Sequence, residues 1–371
     1  MVSRGSPSSR AFAPVAAAWI HGYRQPRNHR KHYFSVNPSA SASPAVSDGE
    51  RSNSNICILL PFEDDFYAKI EPSIQDLANQ LSLPVFEVGD ELSMSPGYTH
   101  CLSFTPYEFQ DISSFTVGIC SLGAKSVGKQ RSKKPKRRNI AAGARRPLFV
   151  DFCPGNKSMI GKRIARGRDN KGGELILKAV GLGRNKGASV YDLTAGLGQD
   201  SLLMANGGAD AVKMVEKDPI VACLLQDALR RLHLVANSTV GGDDKIMKES
   251  RDLYSKLTLE IGDSVEIAGR AAEQVDICYL DPMFPPRTKS AAVKKNMSIL
   301  HGLLETQCPE EDLDVREERE ADLLEAAFRA AGRKVVVKRP LQAPPLGGER
   351  VKRKPSSVIK GSVNRWDVYA C

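Results

Sequence analysis

The sequence predicts an α/β protein whose main domain is a mostly parallel, doubly wound sheet ending in an antiparallel hairpin, with a small α/β domain before it. Two observations carry this prediction. From Pro147 onward, short apolar strands alternate with helical segments, and the strand at 189–193 runs directly into a glycine-rich turn. A sheet of this kind binds its ligands at the carboxyl ends of the parallel strands.

The elements of the main domain, 147–371, follow from hydrophobic periodicity and turn residues. Strands are predicted at Ser189–Leu193, Ala211–Glu216, Leu257–Ile261 and Val275–Leu280, and a further strand begins with the apolar run Val335–Val337. Helices are predicted at Asp200–Asn206, Asp218–Leu232 and about Glu317–Ala331, and a terminal hairpin at Val358–Lys360 and Trp366–Ala370.

Two segments of different composition precede the main domain. Residues 51–124 alternate apolar runs with turn signals, which predicts a small α/β domain with a strand at Ile56–Leu60 and a helix at Pro72–Leu83. Residues 125–146 hold ten Lys or Arg, no acid and no hydrophobic periodicity, which predicts a basic linker or loop. A polyanion partner and a solvated segment without a partner both explain such a run.

Residues 1–47 have the composition of an organellar transit peptide. They are rich in Ser, Ala and Arg, with six Lys or Arg and no acid. We therefore expect import into a chloroplast or a mitochondrion. Two alternatives remain: a secretory signal, whose apolar stretch at 11–20 is interrupted by Pro14, and a disordered leader that carries no address.

Composition excludes several classes of protein. Of 371 residues, 41% are hydrophobic and 26% charged, which is ordinary for a globular chain and excludes fibrous, collagen-like and wholly disordered proteins. No apolar run approaches the roughly 18–20 residues of a membrane span, so no membrane partner is expected. The eight cysteines form no CxxC pair and no Cys/His cluster at zinc spacing. They are predicted to be reduced thiols, with no metal site.

The first motif with chemical content is the glycine turn at 192–200. Gly196 and Gly198 follow the strand, and glycine lets a backbone approach a ligand where a Cβ would collide. Glu216 ends the next strand, 18 residues after Gly198, where a carboxylate can accept hydrogen bonds from both hydroxyls of a ribose. This pattern predicts a nucleoside site, although a tight turn without a ligand gives the same pattern.

The details of the turn favour one nucleoside ligand over another. The third glycine of the dinucleotide pattern G-x-G-x-x-G is replaced by Ser201, and Asp192 and Asp200 flank the turn, where they would repel a pyrophosphate. A ligand without phosphates but with a cationic centre, such as S-adenosyl-L-methionine (SAM), suits these carboxylates better than NAD does.

The second motif, Asp281-Pro-Met-Phe284, follows the strand at Val275–Leu280. It is similar to the (Asp/Asn)-Pro-Pro-(Tyr/Phe) signature of amino-group methyltransferases. The Asp281 carboxylate and a carbonyl exposed by the Pro282 turn can accept hydrogen bonds from a planar exocyclic amine and hold its nitrogen in line with a methyl donor. Phe284 can stack on a base, worth roughly 1–3 kcal/mol. The alternative is a proline-rich loop after a buried strand.

These motifs belong to a longer family resemblance. The runs at 192–229, 279–295 and 335–346, with two upstream pieces at 150–152 and 162–181, resemble in order the bacterial 16S ribosomal RNA guanine-N2-methyltransferase family RsmJ. The resemblance covers about 147–371, is loose over 51–124, and does not extend to the leader or the basic stretch. It implies a class I methyltransferase fold, SAM as cofactor and a guanine N2 of small-subunit rRNA as target.

The resemblance also implies roles by position. Gln199 and Asp200 would line the donor site, Glu216 and Lys217 the ribose, Asp263 and Ser264 the adenine end, and Asp281 the transferring methyl. Three positions depart from the family: Gln199 and Lys217 stand where it has Arg, and Asp263-Ser264 stands for Ser-Ser. The change to Gln199 puts a salt bridge in doubt, whereas Asp263 could strengthen a hydrogen bond to the adenine amine.

Basic residues near the same face are candidate contacts to rRNA phosphates, each adding salt-dependent affinity. They are Lys162, Arg163, Arg166, Arg168, Lys289, Lys294, Lys295, Lys338 and Arg339, and the expectation is strongest for Lys338-Arg339, which end a buried strand. The partner is then small-subunit rRNA or the ribosomal subunit, and the target guanine has to leave its stack. Two alternatives differ in class: a non-catalytic RNA-binding or ribosome-assembly factor with a vestigial fold, and an NAD-dependent oxidoreductase.

Overall fold

The computed structural model describes most of the chain beyond residue 54. The described residues are 55–60, 65–87, 98–109, 112–122, 147–155, 161, 174–182, 187–238, 243–270, 274–282, 299–300, 302–303 and 312–371. They belong to one compact unit. The predicted transit peptide and basic linker lie outside the described residues, and both remain predictions, as does the division into domains.

The first sheet has four strands: β1 (Ile56–Leu60), β2 (Val85–Glu87), β3 (His100–Phe109) and β4 (Ile112–Ser121), in the order β2-β1-β3-β4. β1 is parallel to β2 and β3, and β3 and β4 are antiparallel. Helix α1 (Asp65–Leu81) joins β1 to β2 and contains Pro72, where the sequence predicted its start. Proline removes a backbone donor, but burial of Ile74 and Leu77 keeps the helix continuous.

The second sheet has seven strands in the order β10-β11-β9-β8-β5-β6-β7. They are β5 (Ser189–Asp192), β6 (Ala211–Glu216), β7 (Leu257–Ile261), β8 (Val275–Leu280), β9 (Ala331–Pro340), β10 (Ser357–Lys360) and β11 (Asn364–Ala370). β5 to β9 are parallel, and the β10–β11 hairpin is antiparallel to them through β11. The predicted mostly parallel sheet with a terminal hairpin is confirmed.

The helices described in full around this sheet are α2 (Leu175–Val180), α3 (Gln199–Asn206), α4 (Pro219–Ala236), α5 (Asp244–Lys256), α6 (Ser264–Gly269) and α7 (Leu313–Ala330). Residues of α6 and α7 share one buried cluster with one face of the sheet, at Cys278, Leu280 and Val335. Ile277 and Val336, on the opposite face, are also buried. Both faces are therefore covered, which explains why these strands read as continuous apolar runs. Among the described helices, none combines the length and hydropathy that a bilayer crossing requires.

The two sheets are joined by a buried polar cluster around Asp227 of α4. One carboxylate oxygen of Asp227 accepts hydrogen bonds from the Thr116 hydroxyl (3.0 Å) and the Val117 amide (3.1 Å) of β4 and from Nε of Arg231 (3.0 Å). The Arg231 guanidinium, fully buried, also pairs with Asp151 at 3.2 Å. Because Thr116, Asp227 and Arg231 are buried, the cluster fixes the four-stranded sheet on α4.

Candidate functional site

The site lies where the order of the large sheet reverses, between β5 and β8. From that point β6 and β7 continue to one side and β9 to the other, and in open sheets of this kind ligands bind in a crevice at the carboxyl edge of such a switch point. Asp192 ends β5, Glu216 ends β6, and Asp281 follows β8. The structure thus brings both sequence motifs to one place.

The turn after β5 requires glycine for its packing as well as for its backbone conformation. Gly196 and Gly198 have φ of +53° and +66°, in the left-handed region that favours glycine. A Cβ on Gly198 would lie 2.6 Å from Cζ of Phe152 and 2.8 Å from Cδ2 of Leu225. Phe152 belongs to the segment at 147–155, so this segment packs directly against the turn. From the sequence, the two glycines were expected to allow the close approach of a ligand. Their role in packing was not predicted.

Glu216 holds the turn against the second strand. Its carboxylate accepts one hydrogen bond from the Gly196 amide and one from the Asp218 amide, both at 2.9 Å. Burial raises the pKa of Glu216 to about 7. The Lys217 amide also hydrogen-bonds to this carboxylate. A carboxylate has about four lone-pair sites, so about one acceptor position remains for a hydroxyl group.

Asp192 has a different role from the predicted contact with a ligand. Its side chain is only 1% exposed, and its two oxygens accept hydrogen bonds from the Ser201 hydroxyl and, at 3.3 Å, from the Thr194 amide. Burial raises the pKa of Asp192 to about 7. Asp192 therefore shapes the turn from inside, and Ser201 stands in place of the third glycine because its hydroxyl completes this contact.

A charged cluster lies between the glycine turn and the end of β8. The Lys338 ammonium is 2.8 Å from Oδ2 of Asp200 and 2.7 Å from Oδ2 of Asp281. The Tyr279 hydroxyl donates to the same Asp200 oxygen at 2.7 Å. We call these four side chains the Asp200–Asp281 cluster. Neither Tyr279 nor this role of Lys338 was predicted; the one available signal was a lysine ending an apolar strand.

In this cluster, burial and the neighbouring charges have opposing effects on the pKa values of Asp281 and Lys338. Burial raises the pKa of Asp281, the Lys338 ammonium lowers it and Asp200 raises it, with a net rise. Burial acts to lower the pKa of Lys338, but the carboxylates of Asp281 and Asp200 outweigh burial and raise it. Lys338 is therefore a firmly charged cation shared by two acids, a position in which a phosphate would have to displace a carboxylate.

Backbone contacts hold the surrounding loops together. The Asp281 amide donates to the Thr194 hydroxyl at 2.6 Å, which ties the loop after β8 to the glycine turn. The Ser264 hydroxyl donates to the Leu193 carbonyl, and Asp263 caps α6 by accepting from the Val265 amide at 2.8 Å. Ser264 thus acts within the protein, while the exposed Asp263 remains at the edge of the crevice.

The expectation of a phosphate contact at Arg339 is corrected by its position. Its side chain is 2% exposed, its Nε donates to the Pro344 carbonyl at 3.1 Å, and its guanidinium lies 3.5 Å from Glu320 of α7. Side chains alternate along a strand, so when Lys338 faces the crevice its neighbour faces the other way. Arg339 is therefore a structural residue that holds the loop after β9.

The other predicted site residues divide into two groups. Gln199 and Lys217 are exposed at the edge of the crevice, and Pro282 is half-buried beside Asp281. Phe284, Lys162, Arg163, Arg166, Arg168, Lys289, Lys294 and Lys295 lie outside the described residues. Within the described part of the chain, no group of three or more His, Cys, Asp or Glu side chains is placed to hold a metal. The described cysteines are free thiols, and all except Cys371 are buried.

Comparison with known proteins places the chain among methyltransferases. The family model described as "Putative SAM-dependent methyltransferase" matches residues 129–371. Curated relatives named ribosomal RNA small subunit methyltransferase J include those of Shewanella baltica, 43% identical over 60% of this chain and 77% of the relative, and Alteromonas mediterranea, 38% identical over 61% and 74%. The relative from Coxiella burnetii is 32% identical over 80% of this chain and 91% of its own length.

A solved structure is similar over most of the chain. It is a SAM-dependent methyltransferase from Neisseria gonorrhoeae, 27% identical, with a TM-score of 0.50, covering 84% of this chain and 95% of its own. The fold, the crevice at the sheet reversal and the two motifs therefore agree with the resemblance seen in the sequence.

Proposed function

Because the chain belongs to the family of SAM-dependent methyltransferases whose curated members are named ribosomal RNA small subunit methyltransferase J, we propose that it methylates the exocyclic N2 of a guanine in small-subunit, 16S-type rRNA. The observation that carries this proposal is the position of Asp281. Its carboxylate stands at the crevice beside the glycine turn, and its amide is tied to Thr194 of that turn.

The crevice suits the chemistry of the donor. The carboxyl groups of Asp200, Glu216 and Asp281 outnumber the described cations near them, Lys338 between two of these acids and the exposed Lys217 at the edge. When bound, SAM supplies an electrophilic methyl group on a positively charged sulfur. Glu216 keeps about one acceptor position for a ribose hydroxyl, and Asp263 and Gln199 are exposed at the rim of the same crevice. A pyrophosphate would meet repulsion in this environment, which argues against NAD.

On the target side, Asp281 is placed to hold the amine. Its carboxylate accepts an N–H of the guanine amine and thereby turns the nitrogen toward the donor methyl. A carboxylate whose pKa is raised is also a better base for the proton that the amine releases. We infer that Phe284, two residues beyond Pro282, stacks on the base.

Mapping of N2-methylguanosine by mass spectrometry tests this function. Small-subunit rRNA from organelles with and without the protein should differ by one modified guanine, and the purified enzyme with SAM should restore it. Identical modification maps from both sources, together with no methyl transfer in vitro, would refute the proposal.

We further propose import of the protein into a chloroplast or mitochondrion, supported by the acid-free, basic composition of residues 1–47. Fusion of these residues to a fluorescent protein should direct it to one of the two organelles. A diffuse cytosolic or a secreted signal would overturn this proposal. Lys162, Arg163, Arg166 and Arg168 remain predicted rRNA contacts, whose replacement should reduce the salt dependence of binding.

Glu216→Gln is expected to weaken binding of SAM and of S-adenosylhomocysteine (SAH) by about 10- to 100-fold, the equivalent of about 1.5–3 kcal/mol for hydrogen bonds to a charged group. In the variant, an NH2 group replaces one of the two carboxylate oxygens. One of its N–H bonds then points at a backbone N–H, that of either Gly196 or Asp218, which needs an acceptor. Because the folded carboxyl takes up a proton as the pH falls through about 7, wild-type affinity should decline below that pH, and the affinity of the variant should not.

Calorimetry with SAH over pH 5.5–8.5 measures both effects. Glu260→Gln on the adjacent strand β7 is the control, since Glu260 pairs with Lys213 and does not contact the turn. If the Glu216→Gln variant binds SAH as tightly as the wild type does, this carboxylate does not bind the donor.

A further inference from the structure

We propose that Lys338 is a positioning residue of the methyl transfer: its ammonium keeps the Asp281 carboxylate ionised and fixed in the orientation that accepts an N–H of the target amine. This inference rests on the role proposed above for Asp281. It replaces the expectation that Lys338 contacts an rRNA phosphate.

Sheet register places the two residues side by side. β8 and β9 are parallel, and Leu280 pairs with Val337. Asp281 directly follows Leu280, the last residue of β8, and Lys338 follows Val337 within β9; Leu280 and Val337 are both buried. The 2.7 Å contact between Lys338 Nζ and Asp281 Oδ2 therefore joins a residue of the sheet to the residue immediately after the neighbouring strand.

The ammonium is anchored on its other side by a buried pair. Oδ2 of Asp200 accepts from Lys338 at 2.8 Å and from the Tyr279 hydroxyl at 2.7 Å. Tyr279 is fully buried in β8, two residues before Asp281. The phenol fixes Asp200, Asp200 fixes the ammonium, and the ammonium fixes one oxygen of Asp281. Among the described residues, no donor contacts the second oxygen, Oδ1, which leaves it for the target.

Charge explains why a cation is needed here. Asp200 and Asp281 lie at the crevice with the buried Asp192 close by, and among the described residues the Lys338 ammonium is the cation that pairs with both Asp200 and Asp281. Burial and Asp200 both raise the pKa of Asp281, and the Lys338 ammonium opposes them. Without the ammonium, the two carboxylates would face each other uncompensated, and the pKa of Asp281 would rise further. A protonated Asp281 can donate a hydrogen bond at the position where it must accept one.

The test compares Lys338→Met with the wild type across pH 5.5–9.5. Methyl transfer from SAM is measured on protein-free 16S rRNA and on isolated small subunits, both from bacteria that lack their own methyltransferase J. Lys334→Met is the matched control, because Lys334 lies on the same strand four residues before Lys338 and outside the cluster.

We expect the acidic limb of kcat to move to higher pH by about one unit or more in the Lys338 variant, since removal of the ammonium raises the pKa of Asp281. The rate at pH 6.5 should fall by about tenfold or more and approach the wild-type rate at pH 9.5, where Asp281 ionises without help. The control should follow the wild-type profile.

Three results would overturn the proposal. An equal loss of kcat at every pH would indicate a purely structural role. An unchanged profile would show that Lys338 is dispensable. If the KM for RNA rises, its salt dependence becomes smaller and kcat is unchanged, Lys338 contacts an rRNA phosphate instead.

Failure of the proposed function is separable from failure of this inference. If the wild type methylates neither RNA preparation, the assignment to rRNA fails, and Lys338 is tested by donor binding alone. SAM carries one more positive charge than SAH, so the ratio of their affinities follows the ionisation of the cluster. The midpoint of that ratio with pH should be higher in Lys338→Met than in the wild type; equal midpoints would overturn the proposal.

Discussion

Asp281→Ala is expected to abolish methyl transfer, with kcat at least 10²- to 10⁴-fold lower, while the affinity for SAH stays within a few-fold of the wild type. The loss follows because the carboxylate is the group that accepts the target N–H. Donor binding survives because the loop is held through the Asp281 backbone amide, which donates to Thr194 whatever the side chain. Lys338 also keeps a partner in Asp200.

Two measurements on one preparation check this expectation: transfer of labelled methyl to small-subunit rRNA, and calorimetry with SAH. Asp322→Ala, in the exposed face of α7, is the control for loss of one negative charge. Asp281→Asn, which keeps an acceptor oxygen but loses the charge, should be intermediate. Full activity of Asp281→Ala would remove this residue from the mechanism, and a parallel loss of SAH binding would place it in the donor site.

Asp227→Ala is expected to destabilise the fold by about 3–5 kcal/mol, because it leaves a buried guanidinium without its main partner. Arg231 is fully buried and keeps Asp151, the Val150 carbonyl and the face of the Tyr107 ring. The Thr116 hydroxyl and Val117 amide on β4 lose their acceptor as well. The change therefore breaks the contact between the two sheets at its centre.

Urea unfolding followed by circular dichroism measures this effect. Asp252→Ala is the matched control, since Asp252 also pairs with a basic residue one helical turn away but is 60% exposed. A pair of that kind contributes about 0–1 kcal/mol. Similar midpoints for the two variants would show that the Asp227 cluster does not stabilise the junction.

The parallel strands were predictable because each is a local apolar run. Ala211–Glu216, Leu257–Ile261 and Val275–Leu280 occur in the structure with the predicted bounds. Helix α5 was not predicted, because it buries only Met247, Ser250 and Leu253 and its other residues are mostly polar. The β3–β4 hairpin was not predicted either, since polar residues and Pro106 interrupt its apolar pattern.

The sequence by itself determined the parallel strands of the large sheet, the glycine turn, Glu216 and Asp281, because each is defined by residues close together in the chain. Tertiary structure alone decided the roles of the residues around them. Lys338 and Arg339 are adjacent and both positively charged, so the sequence does not distinguish them. Because side chains alternate along a strand, Lys338 contacts Asp281 and Arg339 contacts Glu320. Parallel register across residues 57 positions apart brings Lys338 to Asp281, and contacts between such distant positions leave no periodic signal in a single sequence.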